Sequence, residues 1–177
     1  FTNISDKNST NYRTPKLITN QEIIFNNPLA HSTFCLRKQS LDQAKLYYSG
    51  IEGKKEYFGP TQDLMLISSA IFNFNFNVSK VEGTKVFIYN YPQSISSRHS
   101  RKQKVNAAKI LLVNSLISIF ISNTIKNLLI SLNCLIINII RLIYHEANII
   151  VIFKILFITS KCHFNKTKID YSLILSI

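Results

Sequence analysis

The side chains of this sequence that are able to do chemistry form no complete catalytic or metal-binding pattern. Positions 145 and 146 read His-Glu, as in the zinc motif H-E-x-x-H, but position 149 is Ile and the second zinc ligand is missing. No G-x-S-x-G sequence, which positions the nucleophile of many hydrolases, occurs. Two further pairs have ligand chemistry suitable for zinc without zinc-finger spacing: His31 with Cys35, and Cys162 with His163. The sequence therefore predicts a protein that is not an enzyme, with no catalytic residue, metal, cofactor or identifiable small-molecule substrate.

Residues 50–53 have the G-x-x-G form with which KH domains clamp a nucleic-acid backbone. However, Glu52 places a carboxylate where phosphates would lie, and Gly59-Pro60 interrupts the helix that should follow. We interpret the two glycines as the end of a helix and a turn.

Basic residues form a candidate contact patch for an anionic partner. The chain carries 21 Lys and Arg against 9 Asp and Glu, a net charge of +12. The patch consists of Lys54, Lys55, Arg98, Arg101, Lys102 and Lys104. The run 98–104 admits three interpretations: a nucleic-acid patch, a processing site at Arg98-x-x-Arg101, or the cytoplasmic flank of a membrane segment. Its position directly before an apolar block favours the third. The same cations predict weak, sequence-independent binding to nucleic acid through its phosphates.

The apolar block that follows the patch has the length required to enter a membrane. A membrane-spanning helix needs about 20 mostly apolar residues. The stretch 107–125 has 19 residues and the stretch 127–144 has 18, and they meet at the polar pair Lys126-Asn127. This arrangement predicts a membrane helical hairpin within 105–160. The shorter stretch 149–158 is interrupted by Lys154, which predicts an interfacial or buried segment.

Residues 1–104 have the composition of a small soluble domain, with a loose polar arm over 1–20. Residues 22–25 are expected to form a short strand, and residues 41–48 two helical turns that stop at Gly50. Thr61 is expected to begin a second helix running to Ala70. The alternating Phe and Asn residues of 72–79, followed by a turn at 82–84, predict a β-hairpin over about 71–91.

Five residue types with AT-rich codons, Ile, Asn, Lys, Phe and Tyr, supply 82 of the 177 residues. The apolar block therefore admits three interpretations: a membrane segment, the core of a soluble protein, or the product of an unselected AT-rich reading frame. Since the chain begins with Phe1, it is also expected to be a processed product, a fragment, or a conceptual translation whose true start is missing.

Taken together, the sequence predicts an α+β protein with three parts. They are a small basic domain (1–104), an apolar, helical segment (105–160) and a basic tail (161–177). The predicted function is non-enzymatic anchoring or interaction at a membrane, with the lipid bilayer as partner. The alternatives are a soluble basic nucleic-acid-binding protein of the ribonucleoprotein type, and a truncated or unselected product without a defined activity.

Overall fold

The computed structural model describes residues 20–26, 36–54, 56–57, 59–78, 100–145 and 148–177. Its helices are α1 (Asn20–Phe25), α2 (Lys38–Ala44), α3 (Gln62–Phe74), α4 (Ser100–Phe120), α5 (Ile125–Tyr144), α6 (Ile149–Phe164) and α7 (Tyr171–Ser176). Strands β1 (Leu46–Tyr47) and β2 (Gly50–Ile51) pair antiparallel, with Leu46 opposite Ile51. The described part of the chain is mostly helical with one small sheet. The predicted α+β class is confirmed in this coarse form.

Helix α4 is the centre of the described fold. It packs against α1, α3, α5, α6 and α7, and most of its residues from Asn106 to Ser118 are buried. Protein covers this helix on most sides, and its buried residues include polar side chains, among them Asn106, Asn114 and Ser115, as well as apolar ones. The largest buried cluster joins its side chains to those of α3, α6 and α7, including Leu64, Leu112, Ile155 and Ile174.

Helix α3 begins where the sequence places it, directly after Thr61. The Thr61 side chain makes no capping bond to the helix, since its hydroxyl donates to the carbonyl of Pro60 instead. Gln62 stabilises the first turn, because its Nε2 donates a hydrogen bond to the carbonyl of Tyr57 at 2.8 Å. Helix α3 ends at Phe74 and is followed by Asn75, a left-handed residue (φ 53°). The N–H of Asn75 donates to the carbonyl of Ile71 at 3.0 Å, and the N–H of Phe76 donates to the carbonyl of Ala70 at 2.9 Å.

The β-hairpin predicted over 71–91 is wrong in its first strand. Residues 71–74 are the last turn of α3, and residues 75–78 are not in a strand. The buried face of α3 extends to Ile71, so packing on α4 continues the helix into the Phe/Asn alternation. Asn73 pairs its side-chain amide with the backbone of Ile169, at 3.0 and 2.9 Å. The predicted return strand lies outside the described residues.

Two smaller predictions in the first part are also corrected. Residues 22–25 are helical, not a strand, because the carbonyls of α1 are satisfied by side chains of α4 and α5 rather than by a neighbouring strand. Helix α2 ends at Ala44, before the predicted end at 48. Lys45 takes the left-handed conformation (φ 52°) there, and the chain turns into the hairpin of β1 and β2.

The apolar block folds into helices, with the first two joined by a turn at 121–124 rather than at Lys126-Asn127. Thr124 sets this position, because its hydroxyl accepts from the N–H of Asn127 at 3.2 Å and so caps α5. Helix α4 is continuous across residue 104, where the composition changes. The division of the chain into domains at that residue stays a prediction.

Candidate functional site

Helix α5 has its polarity reversed relative to an ordinary surface helix. Its fully buried residues are Ser131, Cys134, Asn138 and Leu142, so two of these four are polar, while the partly buried Leu135 and Ile139 also pack on the core. Its outward side is almost entirely aliphatic, with Lys126 and Asn133 as the polar members. A helix on the surface of a soluble domain normally shows the opposite pattern, apolar toward the core and polar toward water.

The exposed apolar side chains of α5 and of the helix after it define what we call the outer apolar surface. On α6 these side chains share one side, opposite the buried Ile152, Ile155 and Thr159. Lys154 and Lys161 lie at the edge of that side. The surface consists of Ile125, Leu129, Leu132, Ile136, Ile137, Ile140, Ile143 and Tyr144 on α5, and of Ile149, Ile150, Phe153, Phe157 and Phe164 on α6.

Within the described residues, α5 is the one helix long and apolar enough to cross a membrane, judged by length and composition. Its 20 residues correspond to about 30 Å, close to the thickness of the hydrocarbon layer of a bilayer. Only 22% of its apolar 18-residue stretch is buried inside the protein. Helix α4, which the sequence predicts as the first arm of the membrane hairpin, is instead mostly enclosed by protein.

Two polar residues of α5, the buried Asn138 and the partly buried Arg141, bond inside the protein around the carbonyl end of α1. Asn138 Nδ2 donates to the carbonyl of Ile24 at 3.2 Å and to Ser115 Oγ at 3.1 Å. Arg141 Nη1 donates to the carbonyl of Phe25 at 3.0 Å and to Asn138 Oδ1 at 3.1 Å. These bonds occupy carbonyls that the end of a helix otherwise leaves unpaired.

A second buried group of hydrogen bonds centres on Asn114 of α4. Its Nδ2 donates to Ser68 Oγ at 2.8 Å and, at 3.5 Å, to the carbonyl of Ile23. Its Oδ1 accepts from the hydroxyl of Tyr171 at 2.7 Å. Burial raises the pKa of the Tyr171 phenol well above its ordinary value, so this hydroxyl remains a donor. The Asn114 group thereby connects α1, α3, α4 and α7.

Four of the six residues of the predicted basic contact patch lie among the described residues. Arg101, Lys102 and Lys104 are exposed in the first turns of α4, and Lys54 is exposed after strand β2. Lys55 and Arg98 lie outside the described residues. Arg101 and Lys102 line a cleft that Lys54 does not reach.

The described residues bring no metal-binding group of side chains together. Among them, no three His, Cys, Asp or Glu side chains are close enough to hold a metal ion. His163 stacks on the ring of Phe120 with centroids 4.3 Å apart, and His145 meets Tyr144 edge-on at 5.2 Å. Both imidazoles thus contact an aromatic ring. His31, Cys35 and Glu146 lie outside the described residues.

Comparison with protein-family models, with curated proteins and with solved structures finds no match to this chain. The candidate function therefore depends on the geometry and polarity of the surface itself.

Proposed function

We propose that this protein is a non-enzymatic membrane-associated protein that embeds its outer apolar surface in a lipid bilayer. The observation that supports this most directly is the reversed polarity of α5, with Ser131 and Asn138 buried and Leu132, Ile136 and Ile140 exposed. Polar side chains of membrane proteins face the protein interior, where they hydrogen-bond across helices. Lipid contacts the aliphatic side chains that remain outside. The proposed role is anchoring of the protein at the membrane.

The size of the outer apolar surface supports stable association. At the centre of a membrane helix, each Ile, Leu or Phe contributes roughly −0.3 to −0.6 kcal/mol. The twelve Ile, Leu and Phe side chains of the surface then favour the bilayer by about 4–7 kcal/mol. Lys126, Lys154 and Asn133 oppose this. The three hydrogen bonds of the buried Asn138 mean that this polar residue adds no unsatisfied group.

The charges beside the surface favour a bilayer over a second copy of this chain as its occupant. Lys126 lies in the first turn of α5, while Lys154 and Lys161 border the apolar side of α6. Long ammonium side chains at such positions reach the headgroups while their stems remain in contact with apolar neighbours. If a second copy of this chain packed on the surface, its own lysines would approach Lys126, Lys154 and Lys161. Two chains that each carry a net charge of +12 would then repel each other.

Vesicle flotation of the intact chain, followed by alkaline carbonate washing, tests the proposal. We expect the protein to float with vesicles that contain phosphatidylglycerol and to remain with them after the wash. A protein that stays in the soluble fraction contradicts the proposal. If that soluble protein sediments as a dimer or larger species, the outer apolar surface is instead an interface between copies of this chain.

The second candidate function, weak binding to nucleic acid, is favoured by the exposed cations Arg101, Lys102 and Lys104, which lie within about one turn of one helix. Phosphate contacts make log K fall with log salt by roughly 0.9 per contact on duplex DNA. We expect low affinity, a steep salt dependence and no sequence preference. Tight, sequence-selective binding at physiological salt would make this function the principal one.

A further inference from the structure

A basic cleft separate from the outer apolar surface lies between α4 and the last residues of the chain. Its volume is about 570 Å³, within the range of pockets that hold small ligands. Arg101, Lys102 and Lys109 line it from α4, and residues 175–177 form the opposite wall. Of the described residues that line it, none is Asp or Glu. The described lining of the cleft therefore has three cationic side chains and no acidic side chain.

Lys109 is the unusual member of this group. Its side chain is only 8% exposed, yet it lines the cleft and forms no hydrogen bond or ion pair with any described residue. Burial, together with the neighbouring Lys102 ammonium, lowers the pKa of Lys109 from its ordinary value. Its Nζ stays in contact with solvent in the cleft, since no buried polar side-chain atom of the described residues lacks a hydrogen-bond partner. With no protein acceptor among the described residues, this ammonium is available to an anion that enters the cleft.

The position of the cleft in the fold places it beside one end of α5. Helices α4 and α5 are joined by the turn at 121–124 and run in opposite directions, with Ser115 bonded to Asn138. Lys109 precedes Ser115 by as many residues as Tyr144 follows Asn138, about 9 Å along each helix. Lys109 therefore lies near the level of Tyr144, the last residue of α5.

We infer that this cleft binds a phosphoryl group, held by Lys109, Arg101 and Lys102. The planar guanidinium of Arg101 suits two phosphate oxygens, and the two ammonium groups donate to the others. The cleft lies along the first turns of α4, whose positive dipole end favours an anion. The phosphoryl group comes from a lipid headgroup or from a soluble phosphate compound, and its recognition does not depend on the proposed anchoring role.

The test compares Lys109→Gln with Lys104→Gln in the intact chain. The two variants lose the same charge from the same helix, but Lys104 is exposed and does not line the cleft. Equilibrium dialysis against radiolabelled inorganic phosphate, with the protein in neutral detergent, measures the affinity of the site. We expect saturable binding that Lys109→Gln weakens by about tenfold or more, as for the loss of a charge-assisted hydrogen bond. Lys104→Gln should weaken it by less than about twofold.

A second arm of the test identifies the source of the phosphoryl group. Flotation is repeated with phosphatidylcholine vesicles that contain phosphatidic acid or the same fraction of phosphatidylglycerol. A preference for phosphatidic acid that Lys109→Gln abolishes assigns a lipid phosphomonoester, whereas saturable phosphate binding without such a preference assigns a soluble compound. Absence of saturable binding in both arms, or equal losses in the two variants, overturns the inference. Arg101→Gln serves as the second site variant should Lys109→Gln fail to fold.

Discussion

Two leucines of nearly equal exposure permit a sharp test of the outer apolar surface. Leu132 lies on α5 within that surface and is 37% exposed, whereas Leu173 lies on α7, outside it, and is 39% exposed. In water, either leucine changed to Asp should alter the free energy of unfolding by no more than about 0.5 kcal/mol, as for most exposed positions. The same change therefore has equal effects on the two sites unless one of them contacts lipid.

In a bilayer the two substitutions should have very different effects on the free energy of partition into vesicles. Leu132→Asp removes a contribution of roughly −0.3 to −0.6 kcal/mol and introduces a penalty of about +2.5 to +3.5 kcal/mol near the middle of α5. The sum, about 3–4 kcal/mol, corresponds to a roughly 100- to 1,000-fold weaker partition into vesicles. Leu173→Asp should change partition by less than about threefold, because α7 packs on α3 and α4 rather than on the outer apolar surface.

Titration of each variant with lipid vesicles, followed by flotation, gives both partition constants. Denaturant unfolding of the same samples without vesicles shows whether each variant remains folded. Equal partition of the two variants would refute the assignment of the surface to lipid. Unfolding of Leu132→Asp in the absence of lipid would refute the exposed position of this side chain.

Two further predictions concern the protein interior and one helix end. Asn114→Leu should lower the free energy of unfolding by at least about 2 kcal/mol, because it leaves the buried hydroxyls of Ser68 and Tyr171 without their partner. The exposed control Asn133→Leu should leave unfolding nearly unchanged and strengthen vesicle binding, and equal losses in these two variants would contradict the Asn114 hydrogen-bond group. Asn75→Gly should preserve stability, whereas Asn75→Ala should lower it by about 1 kcal/mol, because the residue has a positive φ. Thermal unfolding measures both, and equal melting temperatures would contradict the left-handed end of α3.

The helices of the second half are largely predictable from the sequence, because long apolar stretches carry a strong length signal. The position of the turn between the first two of these helices is not predictable from polarity alone. Lys126-Asn127 is the more polar pair, but Thr124 provides the oxygen that caps α5. Alternation of Phe and Asn over 72–77 indicates a strand locally. Tertiary packing of Leu64, Ile67 and Ile71 overrides it, as is common where β propensity competes with a buried helical face.

The outer apolar surface could be identified only from the structure. In the sequence, Ser131, Cys134, Asn138 and Arg141 share one stripe of α5, and this periodicity can be read in advance. Whether such a stripe faces water or protein depends on where α4 packs, which periodicity does not specify. Lys109 was predictable only as a cation at the edge of an apolar stretch. Its place in a cleft depends on the distant residues 175–177.

The most direct measurement of the central claim uses the absence of tryptophan from this chain. Ile136→Trp and Gln39→Trp each introduce a single indole fluorophore, at the middle of the outer apolar surface and on the exposed side of α2. Both variants are bound to phosphatidylcholine–phosphatidylglycerol vesicles whose phosphatidylcholine carries bromine on its acyl chains, and are then exposed to aqueous iodide. We predict that brominated lipid quenches the fluorescence of the Ile136→Trp variant while iodide does not, and that the Gln39→Trp variant shows the reverse. Quenching of both variants by iodide alone would contradict the embedding of the outer apolar surface in lipid.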